Sequence, residues 1–407
     1  YLLDMDNLMP AEPSHSERWQ TERWQTEGAA RFCVGDAFFR TSSKLGRDLA
    51  VLAASAYRQT HGKLRILDAM TGCGVRPLRY ALEANADFVW ANEGNPDLHS
   101  GLLANLGTTL PAHRYRITHQ DANAIFFDCY QRQDFYDLID IDSFGSPMPT
   151  LSTSLWAVKL GGLMYLTSTD GRATSGHAPD KSLQTYGAYA RSHPAVHEQG
   201  LRLLIGSAVQ QSAARGLGAE PVFSWHHGEV NRVMMRVTRR SSWRSQSYGF
   251  LAYCHDCGQF QTVSWKKLGR VAQCICQTQM PLSVSGPMWL GSLHGHSDLM
   301  AMANIAAAFS PNCSSDIWAD CRRLLSIMQA ESSMPPYYYP LAEIGRRGKM
   351  DIPPRDSLIQ QLQAAGFKAT RTHIDVQAIK TTAPLKVCIQ LAQQLSQSAS
   401  PNAPLPE

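Results

Sequence analysis

Leu64-Arg65-Ile66-Leu67-Asp68-Ala69-Met70-Thr71-Gly72-Cys73-Gly74-Val75-Arg76 is an apolar run that breaks into two glycines, and Leu78 and Leu82 follow at helical spacing. This reads as strand, tight turn and helix, the opening βαβ unit of a nucleotide-binding sheet. Glycines at such a turn let backbone N–H groups approach a ligand closely. A second apolar run, Phe88-Val89-Trp90-Ala91, ends in Asn92-Glu93. That is about 20 residues beyond the glycines, where an acidic side chain can hold ribose hydroxyls. His119-Gln120-Asp121-Ala122 and then Tyr136 to Pro147 supply two further strand ends bearing polar groups. Together these stretches predict one ligand spread along the carboxyl edge of a parallel sheet.

Pro77 stands where a dinucleotide fingerprint wants Gly or Ala, so a nicotinamide cofactor fits poorly. Asp68-x-x-x-Gly72-x-Gly74 suits S-adenosylmethionine-dependent methyltransferases better, and Asp142-Ser143-Phe144-Gly145 resembles the acidic-Pro-aromatic motif of those that methylate amino groups. The chain as a whole resembles the tRNA guanine-26 N2-dimethyltransferase family. Asp140-Ile141-Asp142-Ser143-Phe144-Gly145-Ser146-Pro147 is similar to that family's Asp-x-Asp-Pro-Phe-Gly-Ser-Pro. Leu67-Asp68-Ala69 with Gly74-Val75-Arg76 and Arg79-Tyr80-Ala81 resembles its first motif. Thr372-His373-Ile374 with Ile379-Lys380-Thr381 resembles its closing Thr-His…Lys-Thr block. Matches run from about Thr26 to Thr382. Three departures from the pattern stand out: Ser143 replaces a proline, Arg40-Thr41 replaces Asn-Pro, and Gly46 replaces the asparagine of Asn-Arg-Asp. They bear on the turn presenting Phe144 and on substrate position.

The resemblance implies a doubly wound, Rossmann-like α/β class I methyltransferase domain and a C-terminal, zinc-bearing α+β RNA-binding domain. It implies transfer of one or two methyl groups from S-adenosylmethionine to the exocyclic N2 of guanine 26, or also 27, of tRNA. Two other readings stay open: a catalytically weak RNA-binding member of the same fold, and an amino-group methyltransferase acting on another RNA, or on a small amine or protein.

At 407 residues there is chain for two or three domains, and a hydrophobic content of 44% is ordinary for a globular protein. A net charge of +4 permits nucleic-acid binding without requiring it. No apolar run approaches the roughly 18 residues of a membrane span. The first residues lack a signal-peptide pattern, and ten scattered cysteines are not a disulfide framework, so a reducing, cytoplasmic setting and a monomer are expected.

In order, residues 1–30 form a polar segment in which Glu17-Arg18-Trp19-Gln20-Thr21 is echoed by Glu22 to Thr26. The methyltransferase domain is expected over 31–240, with short strands at 32–34 and 37–39 and a helix from Lys44 to Tyr57. Beyond the four strand ends come a helix over 151–158, a fifth strand from Gly161 to Asp170 and a polar loop over 171–195. An amphipathic helix spans Val196–Ala214, and strands 222–225 and 230–237 finish the domain. The basic stretch Arg239–Ser245 marks the boundary, followed by a tRNA-binding domain over 246–390 and a disordered tail over 396–407. Helices are expected at 298–309, 316–329 and 356–365. Cys254-x-x-Cys257 and Cys274-x-Cys276, 16 residues apart, have the span of a structural zinc knuckle.

Asp142 is the candidate catalytic group. The N2 lone pair of guanine is delocalised into the ring, and a carboxylate accepting N2–H localises it and removes the proton. Phe38 and Phe144 are candidates to stack on an extruded guanine, and Asp140, deeper on the same strand face, is read as structural. For the cofactor the candidates are Asp68, Gly72 and Gly74 at the turn and Glu93 on the ribose. The resemblance adds Asp121 and the Ala122 N–H on the adenine, and Arg76 and Arg47 on the methionine carboxylate, with Arg79 not distinguished from Arg76. Arg346, Arg347, Lys349, Lys368, Arg371, His373, Lys380 and Lys386 are expected to form a basic RNA-facing surface, with Tyr337-Tyr338-Tyr339 stacking or packing.

Overall fold

Near-continuous apolar runs on the central strands, buried on both sides, place one core on each face of a seven-stranded sheet. In the computed structural model, residues 23–240, 244–270, 274, 276, 280–309 and 318–398 are described. The Glu17–Thr21 copy of the repeat, residues 241–243 of the expected boundary and residues 399–407 of the tail lie outside them. The strands are β1 (Trp24–Glu27), β2 (Ala30–Cys33), β3 (Arg65–Asp68), β4 (Phe88–Asn92), β5 (Tyr115–Thr118), β6 (Tyr136–Asp142), β7 (Val158–Ser168), β8 (Gly218–His227) and β9 (Val230–Thr238). They continue with β10 (Tyr248–Tyr253), β11 (Phe260–Val263), β12 (Ser283–Trp289), β13 (Tyr339–Pro340), β14 (Ala369–Arg371) and β15 (Ala378–Thr381).

The main sheet runs β5-β4-β3-β6-β7-β9-β8. β3 to β7 are mutually parallel and β9 is antiparallel to both its neighbours. Chain order reverses at β3, so a crevice opens outside the carboxyl ends of β3, β4 and β6. Leu67, Ile139, Ile141, Met164 and Val233 face one way, into a core shared with helices Ala122–Gln131 and Val196–Ala214. Ile66, Leu138, Leu163, Tyr165 and Met234 face the other, against helices Lys44–His61 and Val75–Leu82. The period-two pleat therefore puts Asp140 and Asp142 on the second face, with Leu138.

Several expected elements shift for local reasons. The strand expected at 32–34 is found as β2, starting two residues earlier and paired with β1 in a hairpin that turns at Gly28 (φ 58°), while 37–39 is loop. The helix expected over 151–158 is Met148–Ser154, started by prolines in its first turn, and Val158 already pairs with Tyr136. Within 171–195 the chain forms helices Gly171–Thr174 and Pro179–Tyr186, the second ended by Gly187 in the left-handed region. Val196–Ala214 has the expected bounds but is buried nearly all round rather than amphipathic, because β8, β9 and β12 pack along it.

The expected division at 240/246 is not where the packing divides. Helices His296–Ala308 and Ala319–Glu331 put Leu299, Met302 and Leu325 into one core with Leu49 and Ala53 of Lys44–His61. Arg236 on β9 pairs with Asp298 at 2.6 Å. The first core likewise runs on through Trp289, Tyr338, Leu341 and Leu362. The last helix reaches Ser398, three residues into the stretch expected to be the tail. Among the described residues no helix is long and apolar enough to cross a membrane.

Candidate active site

The chain leaves β3 through Asp68, whose buried carboxylate accepts from Thr71 Oγ1 at 2.9 Å. Gly72 and Gly74 then turn with φ of 57° and 81°. Asn92, at the end of β4, donates from one side chain to Ala69 O and Gln120 O, which ties three strand ends together. Next to it, Glu93 accepts from Gly72 N at 2.8 Å and from Asn95 N at 3.0 Å. Its carboxylate is thereby fixed over the glycine turn with lone pairs to spare for hydroxyl donors. A cavity of about 630 Å³ opens here, and Phe38, Gly72, Arg76, Glu93, Asp142 and Arg232 contribute to its wall.

Asp142 ends β6 with its side chain at the cavity. Arg76 donates to its Oδ2, and Arg232 Nη1 lies 3.2 Å from its Oδ1. Burial would raise this carboxyl, but Arg232 and Arg76 hold it well below the usual carboxylate range. Asp140, fully buried, accepts from Tyr80 OH at 2.8 Å and lies 3.6 Å from Arg76 Nε. Burial and the neighbouring Asp142 charge raise it. The two carboxylates of one strand are thus separated in character. Asp140 is a structural anchor and Asp142 an ionised group at the cavity.

Phe144 and Phe38 are 77% and 56% exposed, and their rings meet edge to face with centroids 5.1 Å apart. To take a flat ring between them they must part and turn. Arg40 lies over Phe38 at 5.1 Å. The turn bearing Phe144 is tied down despite Ser143. Ser143 Oγ donates to Thr167 O at 3.3 Å, Gly145 N to Thr169 Oγ1 at 2.8 Å, and Thr169 N to Gly145 O at 2.7 Å. Gly145 takes φ 72°, which a side chain would strain.

Other sequence candidates fall elsewhere. Arg47 lines the cavity, but its guanidinium is engaged by Glu27 at 2.7 and 2.5 Å and by Arg40 O at 3.0 Å. Arg79 is buried among Glu27, Asp48 and Glu83, which leaves Arg76 as the one of the pair that reaches the cavity. Asp68 and Gly74 shape the turn from below and do not line the cavity. Asp121 caps helix Ala122–Gln131 through the Asn123 and Ala124 N–H groups; it and Ala122 stand outside the cavity wall, one strand end further on. Arg232 and Thr167 were not singled out from sequence. The available signal was an arginine interrupting Val230-Asn231-Arg232-Val233-Met234-Met235, since a charge inside a buried strand requires a partner.

Cys254, Cys257, Cys274 and Cys276 converge with all four sulfurs within 4.8 Å of one another. Cys254–Cys276 at 3.7 Å and Cys257–Cys274 at 3.4 Å are too far apart for disulfides. Sulfurs about 2.3 Å from a tetrahedral zinc stand about 3.8 Å from each other, so the cluster fits zinc. Arg347 grips the knuckle by donating to the His255 and Asp256 carbonyls. A second convergence, His294, Glu331 and His373, does not suit a metal. His294 Nδ1 accepts from Ser224 N at 3.3 Å, so the proton sits on Nε2, which faces Glu331 and is not free to ligate.

The expected basic surface near the C-terminus is in part spent on internal contacts, while Lys349, Lys368 and Lys386 stay exposed. Lys380 is buried and pairs with Glu198 at 2.6 Å, and the His373 side chain is buried on Glu331. Arg346 and Arg371 face solvent but pair with Glu343 and Asp356. Tyr338 and Tyr339 are packed in the core. Further exposed positive charge lies on the turn Trp265–Arg270 after β11, where Lys266 and Lys267 follow Trp265, itself 49% exposed and packed on Tyr248 and Phe250.

Residues 23–393 match the protein family described as N2,N2-dimethylguanosine tRNA methyltransferase. A tRNA (guanine(26)-N(2))-dimethyltransferase of Thermococcus kodakarensis is 27% identical over 396 residues, covering 91% of this chain and 98% of that protein. One from Archaeoglobus fulgidus is 28% identical over 368 residues, covering 90% and 97%. Among solved structures, Trm1 from Pyrococcus horikoshii in complex with S-adenosyl-L-methionine superposes with a TM-score of 0.77 at 26% identity, covering 90% of this chain and 99% of that one.

Proposed function

Because the chain belongs to the N2,N2-dimethylguanosine tRNA methyltransferase family, we infer that it methylates the exocyclic N2 of guanine 26 in tRNA, with S-adenosylmethionine as donor. The observation that carries this reading is Asp142, an ionised carboxylate at the end of β6, between the glycine turn and the two exposed rings of Phe38 and Phe144. The donor supplies an electrophilic methyl on sulfonium; everything else falls to the protein. Glu93 is proposed for the ribose hydroxyls, Gly72 for close approach of the methionine part, and Arg76 or Arg47 for its carboxylate. Asp121 and the Ala122 N–H are proposed for the adenine. Phe38 and Phe144 part to stack on the guanine, replacing the stacking lost on extrusion. Asp142 accepts N2–H, returns the lone pair to nitrogen and takes the proton as the new C–N bond forms.

The cysteine cluster is proposed to hold one structural zinc, with no open coordination position and hence no part in the chemistry. Residues 31–240 with helices His296–Ala308 and Ala319–Glu331 serve the donor and the reacting base. The knuckle sheet and the residues after 332 serve the tRNA, which the Lys266-Lys267 turn contacts through phosphate and Trp265 through a ring face. Incubation with labelled S-adenosylmethionine and bulk tRNA, followed by digestion to nucleosides, tests the activity. N2-methylated guanosine is expected, and label confined to any other nucleoside refutes the reading.

A further inference from the structure

We propose that Arg232 is a positioning residue for methyl transfer, anchoring Oδ1 of Asp142 so that Oδ2 is aimed at the base. The inference rests on the reading of Asp142 as the group that receives the N2 proton. Strand register creates the arrangement: Asp142 on β6 stands opposite Thr167 on β7, and Thr167 opposite Arg232 on β9. These three side chains form one row across the sheet, on the face that carries Asp140 and Tyr165. A one-residue slip of β9 would turn Arg232 to the other face.

Arg232 is held from three sides. Its Nη1 donates to Thr167 Oγ1 at 2.9 Å as well as to Asp142 Oδ1 at 3.2 Å. Its stem passes beneath helix Lys44–His61 at Gly46, where an added Cβ would lie 2.9 Å from Arg232 Cδ and 2.7 Å from the Trp225 ring. Gly46, a departure from the resembled Asn-Arg-Asp pattern, thus leaves room for this guanidinium. Tyr165 OH fixes that backbone by donating to Gly46 O at 2.8 Å. Arg76 holds Oδ2 from helix Val75–Leu82, and it is the partner displaced when a base N–H takes that oxygen. One guanidinium therefore orients the carboxylate while the other yields.

The charged and titratable groups facing Asp142 are Arg76, Arg232, Asp140 on its own strand, Asp68 on β3 and Tyr165 on β7, with the Thr167 hydroxyl between them. Removing a cation from beside a carboxylate raises its pKa. Loss of Arg232 therefore moves the acidic limb of the pH–rate profile to higher pH.

The test measures single-turnover methylation of tRNA against pH, at saturating donor, for Arg232→Met, Arg232→Lys, Thr167→Val and Asp142→Asn. Donor affinity and circular dichroism are measured alongside. Arg232→Met should slow transfer on the order of 10²-fold, the effect of misplacing a reacting group by about 1 Å. Its acidic limb should move up while donor affinity stays within about twofold of the parent. Arg232→Lys should restore the limb but not the full rate, since an ammonium lacks the guanidinium fork. Thr167→Val keeps the fold and should shift the same limb by less. A uniform loss at every pH with no limb shift in either Arg232→Met or Thr167→Val would overturn the proposal, leaving Arg232 a packing residue. Near-normal rates for Asp142→Asn would instead sink the proton-acceptor reading on which it rests.

Discussion

At the scale of the residue, Asp140 and Asp142 differ only in depth along β6, and that depth decides which of them can do chemistry. Asp142→Asn keeps shape and loses both charge and proton affinity, so transfer should fall about 10²- to 10⁴-fold, with donor affinity nearly unchanged. Glu93→Ala should invert the pattern, weakening donor binding while raised donor concentration restores much of the rate. A donor titration beside single-turnover methylation separates the two variants, and matching losses in both quantities for either would refute the division of roles. Asp142 and Glu93 were legible because each follows an apolar run, where a carboxylate has no reason to be unless something binds it. Arg232 was not legible, because its partner lies 90 residues away and only strand register brings them together. The engagement of Arg47 by Glu27 was hidden for the same reason: the hairpin that presents Glu27 is non-local to it.

At the scale of the element, helix Val196–Ala214 shows what a helical pattern does and does not tell. Its bounds follow from periodicity, but its polar stripe, read as solvent-facing, is an internal network. Glu198 accepts from Arg202 at 2.7 Å and from Lys380 at 2.6 Å, while Arg202 donates to Trp289 O and Gly291 O at 3.0 and 2.9 Å. Lys380, expected to face RNA, is therefore a strut between β15 and this helix. Breaking a buried ion pair from one side costs about 3–5 kcal/mol, so Lys380→Met should lower unfolding free energy by that order in denaturant titrations. The exposed Lys386→Met should lower it by no more than about 0.5 kcal/mol. Equal stability of the two variants would count against the strut. The helices inside 171–195 were missed because they are short and lack an apolar stripe, although Pro179 and Gly187 mark the start and stop of the longer one.

At the scale of the whole molecule, both faces of one sheet recruit chain from beyond residue 246, so the two working parts are knit rather than hinged. Sequence could show the order of elements but not this interleaving, since the apolar faces of His296–Ala308 and Ala319–Glu331 do not say which core they join. The knuckle sits at the margin of the first core, which includes Tyr253 and Phe260 on either side of its first cysteine pair, and it is gripped by Arg347 and by Leu385 beneath Gly258. One zinc per chain is expected by elemental analysis, and Cys254→Ser should lose the metal and unfold the knuckle sheet while donor binding at the glycine turn persists. Metal-free native protein with four titratable thiols would contradict this.

Because the turn Trp265–Arg270 stands outside the cavity wall, the tRNA contact is testable without touching the chemistry. Phosphate contacts release counterions, so the logarithm of affinity falls with the logarithm of salt by about 0.9 per contact on duplex nucleic acid. Lys266→Ala with Lys267→Ala should weaken tRNA binding and shallow that slope by roughly one to two. Trp265→Ala should weaken binding with the slope unchanged, because a stacked ring releases no ions. Donor affinity should be untouched in both, since the turn contributes nothing to the cavity wall. The distinction rests on slopes rather than affinities. A general loosening of the knuckle would weaken binding in all variants alike and leave the lysine pair with the parental slope, which would remove this turn from the tRNA-binding face.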